Sequence, residues 1–134
     1  ADFWKHFVER YAEEAEEFGP SGKMLYRWNV LPSVGFVVSM IFNSSALGVF
    51  IRGRRSVPQS DTTERLRPHF DELVSRTGGE IVNLDSDPYF AIWKQVDAED
   101  RSRWPDYADW LKEHGERFRQ VLLDIYGGDR GTKA

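Results

Sequence analysis

Residues 35–52 read GFVVSMIFNSSALGVFIR, and this stretch predicts the β-hairpin around which the rest of the fold is arranged. Its two arms, 35–42 and 47–52, are rich in β-branched and aromatic residues, which favour strands. The intervening residues 43–46, NSSA, are typical of a turn. Because so short a turn joins only antiparallel neighbours, the two arms are predicted to pair in an antiparallel ladder.

The pattern extends on both sides of this hairpin. Upstream, residues 24–30 alternate as a strand does, and Leu31-Pro32-Ser33 makes a turn, which completes a three-strand antiparallel meander. Downstream, a second helix is predicted from a cap at Ser60 or Asp61 to Thr77, with Gly78-Gly79 ending it.

Two more strands and two more helices complete the predicted set of elements. Two further strands fit 80–84 and 89–95, with 85–88 as the turn between them. A first helix, capped by Asp2 and reaching Phe18, has apolar residues at three- and four-residue steps. The last helix runs to Ile125, with Pro105 in its first turn and Gly115 permitting the close approach of another element.

The predicted fold is therefore α+β, in the order helix, three-strand antiparallel meander, helix, two strands, helix. Helices on one face of a twisted sheet would bury the apolar stripes. The 134 residues are the usual size of one domain, so we expect a single domain over 1–134 with a frayed tail at 127–134.

The composition limits the cellular compartment and the chemistry that we expect for this chain. The chain has no cysteine, which excludes disulfides and thiolate chemistry, and it shows no signal-peptide pattern and no apolar run long enough to cross a bilayer. We expect a cytoplasmic protein without a membrane partner. The net charge of -4 resides in residues 1–18, which hold two bases and six acids, whereas the remainder is neutral.

No catalytic residue, metal ligand or cofactor is predicted. The order of elements is shared with the core of restriction-type nucleases, which place an acid on the second strand and acid-x-Lys on the third. Here 35–42 contains no acid, and 47–52 contains neither acid nor lysine. His6, His69 and His114 fall on three different helices, and the acidic groups near 85–87 and 97–100 lack the pattern of a calcium loop. Enzymatic activity is left open, with the sequence favouring none.

Several short motifs resemble one known family. They are Phe3-Trp4-x-x-Phe7, Gly35-Phe36-x-x-Ser39, Leu47-Gly48-Val49-Phe50-Ile51 and Trp104-Pro105 with Trp110-Leu111 and Phe118. Together they are similar to a bacterial and archaeal domain family of unknown function, which often lies C-terminal to predicted restriction-endonuclease-like regions. The resemblance implies an accessory domain in a restriction or defence setting. The family often carries an acid at the position of Phe50, and no catalytic role is implied.

A basic segment is the first candidate site. Between Phe50 and Arg67 five arginines stand against two acids, a local charge of +3. Guanidinium groups match phosphate oxygens, so this segment predicts contact with the phosphates of a nucleic acid. The alternative is a solvated end of the hairpin that pairs with the acidic first helix. The predicted contact residues are Arg52, Arg54, Arg55, Arg65 and Arg67.

Aromatic residues supply a second hypothesis. Tyr26, Trp28, Tyr89 and Trp93 lie on predicted strands, where they either stack on bases or form core beneath the helices, and the sequence favours core. The aromatic excess and the acidic first helix are also compatible with a protein-interaction or dimerisation module. In that case the chain would resemble the dimeric chaperones of type III secretion in topology only, and a homodimer is left open.

Overall fold

The computed structural model describes residues 2–12, 26–54, 57–84 and 87–127. Within these ranges the chain forms one five-stranded antiparallel sheet in the order β1-β2-β3-β5-β4. The strands are β1 (Tyr26–Leu31), β2 (Phe36–Phe42), β3 (Ala46–Gly53), β4 (Glu80–Leu84) and β5 (Asp87–Gln95). The predicted meander is confirmed, and the last two strands return so that β5 pairs with β3 and leaves β4 at the edge.

The helices follow the predicted order. They are α1 (Asp2–Arg10), α2 (Gln59–Leu66), α3 (Phe70–Thr77) and α4 (Trp104–Leu122), with 3-10 turns at Arg67–His69 and Arg101–Arg103 and a π-helical turn at Leu123–Gly127. None of the helices in the described ranges has the length and apolar character needed to cross a membrane. The α+β fold class is therefore confirmed.

The main core lies between the helices and one face of the sheet. Alternate residues of β2, such as Phe36, Val38 and Met40, point into it. From the helix side, α1 contributes Trp4 and α4 contributes Phe118, both fully buried. The buried apolar residues of the described helices all belong to this core, so these helices cover one face of the sheet.

A smaller apolar cluster occupies the opposite face. Ile41, Phe50 and Ala91 are buried there, and Tyr89 and Trp93 pack around them. The Tyr89 ring meets the Phe50 ring edge-on at 5.3 Å. The sheet is thus apolar on both faces, although no buried apolar residue of the described helices contributes to the second one.

Several predicted boundaries were wrong, each for a local reason. The second helix is not continuous, because Pro68 cannot donate the backbone hydrogen bond that an α-helix requires, and Arg67–His69 forms a 3-10 turn instead. That helix begins at Gln59 after Pro58, so Ser60 and Asp61 lie in its first turn rather than at its cap. The first helix ends at Arg10, and the rest of the predicted span, 13–18, lies outside the described residues.

Two glycine and proline predictions are confirmed. Gly78 ends α3 in the left-handed conformation, with φ of 78°. Pro105 lies in the first turn of α4. A Cβ at Gly115 would lie 3.5 Å from Met40 Sδ, an ordinary van der Waals distance, so the packing of α4 does not require glycine there. Gly127, predicted to begin the frayed tail, belongs to the π-helical turn, while 128–134 lie outside the described residues.

Candidate functional site

Two described arginines of the basic segment, Arg52 and Arg65, reach the same end of the sheet from opposite faces. Arg52 lies at the end of β3, where it pairs with Val37, and it bonds to Ser39 on the face opposite the helices. Arg65, on α2, reaches the turn before Phe36, and its guanidinium lies over the Phe36 ring of the main core. Because Gly53 pairs with Phe36, both side chains lie near the point where β3 ends. Arg55 lies outside the described residues.

Arg52 is held by the sheet itself. Its Nε donates to the Ser39 hydroxyl oxygen at 3.0 Å, and one terminal nitrogen approaches the Gly53 carbonyl at 3.5 Å. Ser39 is a buried polar residue on the neighbouring strand, displaced diagonally from Arg52. Neither partner carries charge, so Arg52 is positioned without being neutralised.

Arg54 follows β3 and is exposed. Its backbone carbonyl accepts a bond from the Val57 N–H at 3.0 Å, which fixes the start of the loop before α2. Among the described residues, no carboxylate pairs with its guanidinium. Among the described arginines of this segment, Arg54 is therefore exposed and without an ion pair.

Arg65 has a structural role that the sequence did not indicate. One terminal nitrogen donates to the Val34 carbonyl at 3.0 Å, and its guanidinium lies 4.1 Å from the centre of the Phe36 ring. The guanidinium also lies 5.4 Å from the centre of the Tyr126 ring, and the Tyr126 hydroxyl donates to the Arg65 carbonyl at 2.7 Å. Arg65 thus ties the β1–β2 turn and the C-terminal turn to α2.

Arg67 is neutralised. It donates to both oxygens of the Glu64 carboxylate, from Nε to Oε1 at 3.1 Å and from Nη2 to Oε2 at 2.7 Å, and these bonds lower the pKa of Glu64. Both side chains are exposed, so solvent weakens the pair. Arg67 nevertheless adds no net charge to the basic segment while Glu64 is bound.

Several arginines elsewhere on the surface differ from those at this end of the sheet, because they pair with carboxylates. Arg52, Arg54 and Arg65 form no ion pair with a described carboxylate. Ion pairs with carboxylates are formed, among others, by Arg10, Arg67, Arg76, Arg103 and Arg117. The alternative interpretation was pairing with the acidic first helix. Within its described part, residues 2–12, no acid pairs with these arginines, and the acids of 13–17 lie outside the described residues.

The prediction that the strand aromatics form core beneath the helices was wrong for Tyr89 and Trp93. Tyr89 and Trp93 pack in the smaller cluster on the face opposite the helices, not beneath them. The Trp93 ring occupies the space where a Cβ at Gly48 would lie, and within the described ranges its buried indole N–H has no hydrogen-bond partner. Both rings pack against neighbours, which favours a packing role over base stacking. The side chains of Tyr26 and Trp28 are outside what is described.

Several polar side chains away from these arginines make hydrogen bonds or ring contacts within the fold. Asp97 and Asp100 accept hydrogen bonds from Glu99 and Ser102 at the entry to α4, as turn residues do. His114 lies against Trp110, with ring centres 4.3 Å apart, and burial lowers its pKa. The described residues contain no group of three or more His, Asp or Glu that could hold a metal ion.

A second charged cluster joins α1 to α4. Arg10 donates to both oxygens of Asp109, at 2.6 and 3.0 Å, and the Tyr11 hydroxyl also donates to this carboxylate. The hydrogen bonds from Arg10 and then Tyr11 lower the pKa of Asp109. The cluster therefore fastens the two helices and leaves no carboxylate oxygen free for catalysis.

This cluster predicts a pH dependence of stability. Because the folded pKa of Asp109 is below its unfolded value of about 4, its contribution is complete above that pH and disappears as the pH falls through the folded pKa. We expect Asp109→Asn to lower the free energy of unfolding near neutral pH and to differ little from wild type in strong acid. Urea titrations across the acid range measure this, and an unchanged difference at all pH values would contradict it.

No family model, curated protein or solved structure matches the chain. The resemblance to a restriction-associated domain family consequently stays a prediction.

Proposed function

We propose that this chain is a non-catalytic binding domain that contacts the phosphates of a nucleic acid through the end of its sheet. The observation that supports this most directly is that Arg52, Arg54 and Arg65 lie at one end of the sheet, with Arg52 and Arg65 on its opposite faces, and that none of the three forms an ion pair within the described ranges. The resemblance of the sequence motifs to a restriction-associated family supplies the biological setting of the proposal.

Phosphate is the ligand whose chemistry fits best. A guanidinium group has five N–H donors in a planar fork and remains charged at any physiological pH, so it binds phosphate oxygens through paired, charge-assisted hydrogen bonds. The Ser39 hydroxyl and the backbone carbonyls occupy only part of the donor set of Arg52 and Arg65. The remaining donors can bind an anion while the neutral partners keep each side chain in place.

Arg52, Arg54 and Arg65 are expected to contribute to phosphate binding in different ways. Arg54 is exposed and makes the principal contact, and Arg52 supplies a fixed second charge. Arg65 contributes mainly the electrostatic attraction of its positive charge, because some of its N–H donors already bond to carbonyl groups of the β1–β2 turn. Arg67 is a weaker candidate than the sequence indicated, because Glu64 neutralises it. Since the chain carries a net charge of -4, binding is expected to be weak and strongly dependent on salt.

The test is binding of the purified chain to a labelled oligonucleotide, measured by fluorescence anisotropy over a range of salt concentrations. Arg54→Glu is expected to weaken binding and to reduce the slope of log affinity against log salt by roughly 0.7–0.9, the value for one phosphate contact. Arg117→Glu is the matched control, since Arg117 is exposed but pairs with Glu113 on α4. The control should retain the slope of the wild type.

Two results would remove the proposal. One is a wild-type chain that binds neither single-stranded nor duplex oligonucleotides at low salt. The other is an equal loss of affinity in both variants, because that would show a response to net charge rather than to this site.

A further inference from the structure

Ser39 is a buried polar residue in an otherwise apolar strand, β2. It pairs with Phe50 of the smaller apolar cluster, so its side chain lies on the face opposite the helices, and it is 2% exposed. A hydroxyl that is buried without a hydrogen bond destabilises a fold, so the partner of this hydroxyl is significant. Among the described residues, that partner is the guanidinium of Arg52.

The bond to Ser39 occupies one particular donor of Arg52. The Nε–H group donates to the hydroxyl oxygen at 3.0 Å, and Nη1 approaches the Gly53 carbonyl at 3.5 Å. Within the described residues, Nη2 makes no hydrogen bond. Because Nε is occupied, the side edge of the guanidinium cannot offer two free donors, and the pair that remains for a ligand is the two terminal nitrogens.

The same bond limits the motion of the Arg52 side chain. Arg52 pairs with Val37, and Ser39 lies two residues further along β2, so the side chain reaches its partner diagonally across the two strands. An arginine side chain has several rotatable bonds, and ordering such a side chain on binding costs affinity. Since the bond to Ser39 exists before any ligand binds, part of that cost falls on folding instead.

We infer that Ser39 is a positioning residue for phosphate binding, which holds the Arg52 guanidinium so that its terminal nitrogens face a phosphate on the side of the sheet opposite the helices. The inference rests on the proposed function and adds to it the face from which the ligand approaches Arg52. Two neighbouring phosphate oxygens match a pair of terminal guanidinium nitrogens, and the neutral hydroxyl leaves the charge of Arg52 intact. Ser39 itself does not touch the ligand.

Binding of a labelled oligonucleotide by single and double variants tests this role. Ser39→Ala is expected to weaken binding roughly two- to tenfold, the cost of ordering one long side chain on binding. It should leave the slope of log affinity against log salt unchanged, because the charge of Arg52 remains. Arg52→Gln is expected to reduce that slope by roughly 0.7–0.9. In the Arg52→Gln background, Ser39→Ala should have no further effect, because the side chain that Ser39 positions is gone.

Two further variants serve as controls. Ser39→Thr keeps the hydroxyl group and should retain most of the affinity of the wild type. Thr77→Val removes a hydroxyl that is also buried, at 2% exposure, but that donates to the Leu73 carbonyl in α3. This variant should lower stability without changing the affinity for the oligonucleotide. Circular dichroism establishes that each variant is folded.

The free chain supplies a measurement that does not require a nucleic acid. Exchange of the Arg52 Nε proton with water, followed by NMR, should be slow in the wild type and in Ser39→Thr, because a hydrogen bond to a buried oxygen protects it. The exchange should be faster in Ser39→Ala. The Nε proton of Arg54, which is exposed, provides the reference for an unprotected group.

Equal losses of affinity from Ser39→Ala in the wild-type and Arg52→Gln backgrounds would overturn the inference, because they would show a general effect on the fold. Wild-type affinity in Ser39→Ala, or Nε exchange that this substitution does not change, would overturn it as well. Binding that requires Arg54 but not Ser39 would remove this inference alone. A chain that binds no oligonucleotide would remove the proposed function and this inference together.

Discussion

Phe90→Ala is expected to lower the free energy of unfolding by about 3–5 kcal/mol, a large part of the stability of a domain this size. Phe90 is 1% exposed and lies at the centre of the main core. Its ring is 5.8 Å from that of Phe118 on α4 and is stacked on that of Phe70 at 6.3 Å. Truncation would remove contacts with both helices at once and leave a cavity that the sheet cannot collapse to fill.

Urea denaturation followed by circular dichroism measures this difference. Val30→Ala is the control, since it truncates an exposed strand residue and should change stability by no more than about 0.5 kcal/mol. The slope of unfolding free energy against urea should stay the same in both variants, which would show that the unfolded state is unaffected. A loss below about 1 kcal/mol for Phe90→Ala would mean that the ring is not packed as the structure shows.

The elements of this fold were largely predictable because their signals are local. The hairpin at 35–52 follows from composition and a turn cluster, and the Gly78 cap follows from the one residue type that adopts positive φ without strain. Even the break in the second helix had a local signal, since Pro68 lies inside the predicted span. What the sequence could not provide is the order of β4 and β5, which depends on how a strand returns to the sheet.

The candidate site was predictable in position but not in detail. Its charge excess is visible in the sequence, and the pairing of Arg67 with Glu64 could have been inferred from their three-residue separation on a helix. The use of Arg65 to hold the Val34 carbonyl depends on a turn 31 residues away, and only tertiary structure reveals it. The same applies to Arg52 and Ser39, whose contact requires the strand register.

The aromatic residues show why face assignment fails from sequence alone. Alternation predicts that residues on one strand divide between two faces, and β5 does so, with Phe90 in the main core and Trp93 in the smaller cluster. Both faces are apolar here, so hydrophobicity does not indicate which one the helices cover. The partners across the strands decide, and for Trp93 the partner is Gly48.

Gly48→Ala is expected to destabilise the chain by about 1–3 kcal/mol, through crowding rather than through loss of contacts. A Cβ at this position would lie 2.5 and 2.6 Å from two atoms of the Trp93 ring and 2.9 Å from Ile41. The ring would have to leave its place across β3, and the smaller cluster would lose its packing. Gly115→Ala is a control with the opposite sign, because its Cβ would meet only Met40 Sδ at 3.5 Å, and alanine favours a helix interior by about 0.8–1 kcal/mol.

A double-mutant cycle identifies the cause. If the Trp93 ring is what opposes a side chain at position 48, Gly48→Ala should cost at least about 1 kcal/mol less in a Trp93→Ala background, a coupling within the range measured for residues in contact. Thermal and urea unfolding of the four proteins measure this coupling. Additive effects would show that the cost of alanine at position 48 arises from the backbone or from Ile41. They would also show that the contact between Trp93 and Gly48 does not determine how the second face of the sheet is packed.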